Sequence, residues 1–268
     1  MVLSATVFLA ACATSPTGRS QLMLVSPNQA VQASAKAYPE KLKEYADEGK
    51  LNNDPQLLKR VQRITGQLIV EAEKMYPESR EWDWQVVVVD EPDTVNAWCM
   101  AGGKMAIYTG LIEKVKPTDD ELAQVMAHEI SHALSNHVAE QMSVAMVSQI
   151  GLAILSATAL KDSRYRTAAL SGAALAATVA ITLPYSRAAE AEADRVGIEI
   201  AAKSGFDPYA AASLWRKMGQ VNKGSPPEFL NTHPAASSRE QVLRQLAPEM
   251  MQYYHPNQRH LKYRFTSP

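Results

Sequence analysis

The chain has 268 residues, a formal net charge of −1 and 21% charged residues, a balance that gives no sign of nucleic-acid binding. Its two cysteines exclude a scaffold held together by several disulfides. Once an N-terminal segment is set aside, about 230 residues remain, which fits one large domain better than two.

The N-terminus has the form of a bacterial lipoprotein signal. Residues 2–11 are mainly apolar and end in the tetrapeptide LAAC at 9–12. This pattern predicts a signal over 1–12, a lipid on Cys12 and a tether over 13–30. A lipid anchor would attach the domain to a membrane without spanning it.

The residue after the cysteine favours one location. Ala13 resembles the residue found there in outer-membrane lipoproteins of Gram-negative bacteria, so we expect the periplasmic face of a membrane, and the outer membrane rather than the inner. Residues 1–11 carry no Lys or Arg, although a signal normally begins with basic residues. An ordinary apolar N-terminus with an accidental LAAC is the alternative.

Two strands are predicted upstream of the middle of the chain. Residues 84–89 form a β-branched run that is typical of a buried strand. After a turn at Gly102 and Gly103, residues 104–108 have the pattern of a second strand. Cys99 is placed in the loop between them, as a small buried residue rather than a nucleophile.

A long helix is predicted to follow. Thr118 can cap its first turn, and Glu121 completes a capping box. No Gly or Pro interrupts the chain from there to Gly151. Residues 128–132, which read HEISH, would therefore lie on this helix, about three turns from its start.

The HEISH sequence is an HExxH cluster. Histidines four residues apart on a helix project from one face, so His128 and His132 can bind a single metal ion. Glu129 beside them can take a proton from a water bound to that metal, which is the chemistry of zinc-dependent peptide hydrolysis.

Zinc needs a third protein ligand, and the nearby residues do not supply it. Metzincins would have Gly at 135 and His at 138, but this chain has Ser135 and Val138, which excludes that class. On a continuous helix His137 would lie about 140° around from His132. We therefore expect it to point away from the metal, as a structural or surface residue.

The segment EAEAD at 190–194 offers a better candidate. If it is helical, Glu190 and Asp194 share one face while Glu192 points nearly opposite. Glu190 is the preferred third ligand. Asp194 would accept the N–H of a ligating histidine, which fixes its tautomer.

The stretch over 141–186 is ambiguous. It contains two uncharged segments of about 20 residues, Gln141–Leu160 and Ala168–Ser186, each long enough to span a bilayer. Both are rich in small and hydroxyl residues, which weakens insertion. A packed or membrane-apposed helical hairpin is favoured over a membrane-spanning one. Further helices are predicted over 209–221 and 236–246, followed by a basic and aromatic tail over 251–268.

Four ordered segments resemble the M48 family of zinc metallopeptidases: NAWCMAGGKMAIYTGL at 96–111, HEISH, EAEAD, and NTHPAASSR at 231–239. The resemblance runs from about residue 30 to 245 and is strongest to the bacterial periplasmic lipoprotein branch. It implies a predominantly helical α+β fold: a gluzincin-type peptidase domain over 31–250 with a small β-sheet over the HExxH helix.

The resemblance also implies roles for residues. His128, His132 and Glu190 would bind one Zn²⁺ per chain, with Glu129 as general base and Asp194 behind a ligand. His233 would plug the metal site or bind the transition state, and Arg239 matches a further active-site position. The strand over 104–108 would pair with an extended substrate as an edge strand, or remain a sheet strand without substrate contact.

The predicted function is therefore zinc-dependent endoproteolysis of unfolded or misassembled cell-envelope proteins. Two alternatives remain at this stage. One is a noncatalytic or auto-inhibited envelope lipoprotein with a chaperone-like binding role. The other is a membrane-spanning quality-control protease of the same family.

Overall fold

The computed structural model describes residues 12–147, 182–221, 228–233, 239–258 and 260–265. The helices of this part are α1 Pro27–Asp47, α2 Pro55–Met75, α3 Thr109–Val115, α4 Asp119–Leu134, α5 over 137–147, α6 Arg187–Lys203, α7 Ala210–Gln220, α8 Glu228–Thr232 and α9 Arg239–Met250. Its strands are β1 Cys12–Thr14, β2 Ser20–Leu22, β3 Gln85–Val89, β4 Ala97–Met100 and β5 Lys104–Tyr108. The predicted α+β, mainly helical fold is confirmed.

The main sheet has three strands in the order β3-β5-β4, with β3 parallel and β4 antiparallel to β5. The prediction that Cys99 lies in a loop is wrong, because Cys99 pairs with Met105 within β4. Gly102 and Gly103 adopt φ of +78° and +74°, so the chain reverses tightly and adds one more strand. The strand over 104–108 is consequently central, and β3 and β4 are the outer strands of the sheet.

The sheet is buried on both faces. Val86 and Val88 pack in one core with α2 and α4, whereas Val87 and Val89 pack in a second core with α1 and α5. This arrangement explains why the strand has a continuous β-branched run instead of alternating with polar residues. It also places α4, the helix that carries the HExxH sequence, against one face of the sheet.

The HExxH helix begins as predicted and ends earlier than predicted. The Thr118 hydroxyl accepts the N–H of Glu121, and the Glu121 side chain accepts the N–H of Thr118, which is a complete capping box. The helix stops at Leu134 because Asn136 takes the left-handed conformation, with φ of +58°. α5 then starts in a new direction at residue 137.

The N-terminal residues predicted as a tether contain regular structure. β1 and β2 form a short antiparallel hairpin in which Cys12 pairs with Leu22. α1 then begins at Pro27 behind a capping box formed by Ser26 and Gln29.

The C-terminal tail lies against the domain. The Tyr263 N–H donates to the carbonyl of Gly66 at 2.8 Å, and the rings of Tyr263 and Phe265 pack against the core. A Cβ on Gly66 would lie 2.9 Å from the Tyr263 carbonyl oxygen, so α2 needs a glycine at this contact.

Within the described ranges, no helix is long and apolar enough to cross a membrane. The central part of the predicted hairpin over 141–186 lies outside those ranges. Its first seven residues continue α5.

Candidate metal centre

Four helices bring the predicted site residues together. α4 and α6 pack closely because Gly197 has no side chain, and a Cβ there would lie 3.1 Å from the Cα of His128. α8 ends next to this contact, and α9 begins there. The predicted site residues that these helices supply are all buried: His128, Glu129, His132, Glu190, Asp194, His233 and Arg239.

Potential ligand atoms from three side chains lie at distances close to those between the ligands of a tetrahedral zinc site. Nε2 of His128 lies 3.1 Å from Nε2 of His132. The Glu190 carboxylate oxygens lie 3.5 Å from the first of these atoms and 3.4 Å from the second. Ligand atoms about 2.0–2.1 Å from zinc at tetrahedral angles would be about 3.3 Å apart, so this set fits zinc.

His233 lies at the fourth corner of this set. Its Nδ1 is 3.4 Å from Nε2 of His128 and 3.0 Å from Oε1 of Glu190. One ligand atom from each of the four side chains falls within 4.8 Å of the others. The Phe229 ring stacks on the imidazole of His233 at 4.5 Å between centroids, which holds it in this position.

Burial and hydrogen bonds set the charges of the ligands. Burial lowers the pKa of His132 well below its usual value, so the imidazole is neutral, as metal ligation requires. Burial opposes ionisation of Glu190, but hydrogen bonds from His128, His132 and His233 lower its pKa. The set therefore offers a neutral nitrogen on His132 and an ionised carboxylate on Glu190, while the carboxylates of Asp194 and Glu190 raise the pKa of His128.

Glu129 is buried next to the candidate ligand cluster. Its Oε1 is buried and has no hydrogen-bond partner among the described residues, and it lies 3.4 Å from Nε2 of His233. Burial raises the pKa of Glu129 to about 7, opposed in part by His233 and by a hydrogen bond from the Cys99 backbone. A carboxylate whose pKa lies near 7, and one of whose oxygens has no hydrogen-bond partner, can accept a proton at neutral pH.

His128 is oriented from behind by a carboxylate. Asp194 Oδ1 lies 3.2 Å from its Nδ1, the arrangement that fixes the tautomer of a metal-binding histidine. Arg239 donates to Asp194 at 2.5 Å and to Glu190 at 2.6 Å. Its guanidinium stacks on the Trp215 ring at 3.8 Å, so it neutralises two buried carboxylates without entering solvent.

His137 lies outside the candidate ligand group, as predicted, and it is a buried structural residue instead of a surface one. Its Nδ1 lies 2.9 Å from Nδ1 of His132, and its Nε2 lies 3.0 Å from Glu192. The prediction assumed a continuous helix, but the left-handed turn at Asn136 swings His137 back towards α4. Glu192 does face away from Glu190, yet it is buried against His137 instead of being solvated.

Sequence reasoning also missed Tyr185 and Trp215. The Tyr185 ring stacks on His132 with 3.9 Å between centroids, and Trp215 supports Arg239. Neither residue belongs to a motif with a recognisable spacing. The only signals in the sequence were that Tyr185 precedes Glu190 by five residues and that Trp215 lies in a predicted helix.

The profile of peptidase family M48 matches residues 55–247. The chain belongs to this family. The match includes both the HExxH helix and Glu190, so the metallopeptidase domain predicted from the sequence is confirmed.

Curated relatives come from mitochondria and bacteria. The chain is 33% identical over 247 residues to the mitochondrial metalloendopeptidase OMA1 of Bos taurus, covering 88% of this chain and 46% of that protein. It is 35% identical over 164 residues to the beta-barrel assembly-enhancing protease of Escherichia coli K12, covering 59% of this chain and 33% of that one. The mitochondrial relatives were not anticipated from the sequence.

Removing Glu190 should abolish stable metal binding. Purified protein should carry about one zinc per chain, and Glu190→Gln should bind zinc more than about 100-fold more weakly, since a ligand matters at least as much as the residues behind it. Zinc content and competition with a chromophoric chelator measure this. Glu199→Gln, also on α6 but paired with Lys203 near the surface, is the control. Equal zinc binding by both variants would contradict the assignment.

Glu129 should make the zinc-free protein less stable at high pH. Its pKa rises from 4.5 in the unfolded chain to about 7 in the fold, so the native state binds the extra proton. The stabilisation is complete below pH 4.5 and is lost as pH rises through 7, by about 3 kcal/mol. Urea unfolding of chelator-treated wild type and Glu129→Gln between pH 5 and 8.5 tests this. Parallel pH profiles would rule it out.

Proposed function

We propose that this M48 peptidase is a zinc-dependent endopeptidase in which His128, His132 and Glu190 hold the metal and Glu129 is the general base. One observation carries the proposal: nitrogens of His128 and His132 and oxygens of Glu190 lie at distances close to those of a tetrahedral zinc site, and the unpartnered Oε1 of Glu129 lies 3.4 Å from His233, which belongs to the same cluster. Nitrogen and carboxylate donors in a tetrahedral set favour zinc over the harder Mg²⁺ and Ca²⁺.

The residues divide the reaction between them. When bound, zinc would polarise the scissile carbonyl and make water a better nucleophile. Glu129 takes the proton from the attacking water and later passes it to the leaving amine. Asp194 and Arg239 keep His128 and Glu190 in place, and Arg239 supplies positive charge beside the ligands.

The edge strand supports a peptide substrate. β4 is at the outer side of the main sheet, and the Cys99 backbone of this strand hydrogen-bonds to the Glu129 carboxylate. All four residues of β4 are buried, so an extended peptide could add to β4, gain main-chain hydrogen bonds and pass next to Glu129 only after this strand is uncovered. Such binding favours chains without folded structure, and we propose unfolded or misassembled envelope proteins as substrates, in keeping with a relative named for enhancing beta-barrel assembly.

We propose that His233 gates this site. Its imidazole occupies the corner that a water or a substrate oxygen needs, at 3.0 Å from Glu190. Catalysis then requires His233 and α8 to withdraw. The protein would then be auto-inhibited as long as His233 occupies this position. If removal of His233 from the site does not lead to cleavage, a noncatalytic binding role is the alternative.

We also propose that the protein is attached by lipid on Cys12 to the periplasmic face of a membrane, the outer membrane rather than the inner. The LAAC sequence supports attachment, and Ala13 supports the outer membrane. Anchoring would keep the peptidase close to envelope proteins as they assemble.

Glu129→Gln should keep zinc and lose proteolysis. Since removal of a general base lowers rates by about 10²–10⁴-fold, kcat/KM on casein should fall by that factor while zinc content stays at one per chain. Glu113→Gln, an exposed change on α3, should match wild type. If wild type binds zinc but is as inactive as Glu129→Gln, the catalytic assignment fails, unless His233→Ala restores cleavage.

His233→Ala should raise casein cleavage several-fold, because it removes the side chain that competes for the open corner and so enlarges the competent population. His255→Ala, an exposed histidine of the tail, is the matched control. A fall in kcat with unchanged zinc binding would instead assign His233 to transition-state binding.

Cys12→Ser should release the protein from membranes. A chain with a lipid on Cys12 partitions into detergent and incorporates radiolabelled palmitate when expressed in a Gram-negative host. The serine variant should do neither, whereas Cys99→Ser should retain both properties. Labelling that persists in Cys12→Ser would contradict the anchor.

A further inference from the structure

The two histidines of the HExxH cluster are supported from behind in different ways. His128 meets a carboxylate directly, since Asp194 lies 3.2 Å from its Nδ1. His132 meets His137 at 2.9 Å, and the carboxylate of Glu192 lies one residue further out at 3.0 Å from His137. Both series of contacts end at a buried carboxylate, but only the one behind His132 passes through a second imidazole.

The protons along the longer chain can be assigned in one direction. If Nε2 of His132 binds the metal, its Nδ1 carries the proton and donates to Nδ1 of His137. His137 then carries its proton on Nε2 and donates to Glu192.

Glu192 is held by the N-terminal hairpin. Arg19 Nε donates to one carboxylate oxygen at 2.8 Å, and the Thr17 hydroxyl donates to the other at 2.6 Å. These two donors lie in the turn between β1 and β2, more than 170 residues from Glu192 in sequence. The Ser15 hydroxyl of the same hairpin also hydrogen-bonds to this carboxylate, whose side chain is 3% exposed, so the hairpin supplies most of the donors that satisfy its charge.

The hairpin is also fixed to α5 and to the C-terminal end of α4. Both terminal nitrogens of Arg19 donate to the Glu140 carboxylate, at 2.8 and 2.6 Å. Gln21 donates to the carbonyl of Ser135 at 2.8 Å, three residues after His132. A fork-shaped guanidinium between two carboxylates has a defined geometry, so the docked hairpin sets the position of Glu192.

We propose that Arg19 and Glu192 are positioning residues of the metal centre, which act through His137 to hold His132 in ligating geometry. The hairpin of residues 12–22 is then part of the zinc site although none of its residues reaches the ligands. The inference rests on zinc binding by His132, as proposed above. Its consequence is that metal affinity depends on docking of the N-terminal hairpin.

Zinc affinity of the full chain tests this without reference to proteolysis. Dissociation constants come from competition with a chromophoric chelator, and Co²⁺ substitution reports ligand geometry by its absorption spectrum. Glu192→Gln should weaken zinc binding about 10–100-fold, as loss of a residue behind a ligand generally does, and should alter the Co²⁺ spectrum. Arg19→Gln should weaken zinc binding less and in the same direction.

A double-mutant cycle separates the relay from general stability. Arg19→Gln should have little further effect in the Glu192→Gln background, because both changes break one chain of contacts. Arg19→Gln and Asp194→Asn should add, since they act on different histidines. Arg195→Gln on the exposed face of α6 is the matched control and should bind zinc like wild type.

Each result decides between outcomes. If wild type binds no zinc, the proposed function fails, and this inference fails with it. If wild type binds zinc, and Asp194→Asn weakens binding while Arg19→Gln and Glu192→Gln stay within about twofold of wild type, only the positioning role is overturned. Should Glu192→Gln not fold, Thr17→Val removes one donor to Glu192 near the surface, and unchanged zinc affinity in both Thr17→Val and Arg19→Gln overturns the role equally.

Discussion

The close packing of α4 on α6 is the contact on which the rest of the structure depends. Gly197 lets the backbone of α6 approach His128, which brings Glu190 within about 3.5 Å of both histidines of the HExxH cluster. A side chain at 197 would separate the third ligand from the first two. The capping box at Thr118 and the sheet behind α4 fix the other partner of this contact, so the ligand set is built by two rigid helices.

The same packing buries several carboxylates, and burial of a charge is unfavourable unless it is paired. Glu190 and Asp194 share Arg239, and Glu192 is satisfied by His137 and the N-terminal hairpin. Glu129 differs, because one of its oxygens has no partner among the described residues and burial raises its pKa to about 7. The carboxylates with charged or hydrogen-bonding partners position the ligands, and Glu129, which has an oxygen without a partner, is the residue to which we assign proton transfer.

The sequence was sufficient for features that depend on local rules. Helical spacing paired His128 with His132 and Glu190 with Asp194, and capping chemistry placed the start of α4 at Thr118. It was insufficient where the backbone changes direction. The left-handed Asn136 brought His137 towards His132, and the glycine turn at 102 and 103 added β4 as an outer strand of the sheet. His233 and Arg239 were reached only through the family resemblance, since a loop histidine and a helix-initial arginine carry no periodic signal.

The central claim is that His128, His132 and Glu190 bind zinc, and X-ray absorption at the zinc edge of His233→Ala tests it most directly. This variant lacks the other imidazole within reach of the set. The account predicts scattering from two imidazoles with the remaining ligands oxygen, all about 2.0–2.1 Å from a four-coordinate metal. A spectrum with sulfur, or with fewer than two imidazoles, would contradict it.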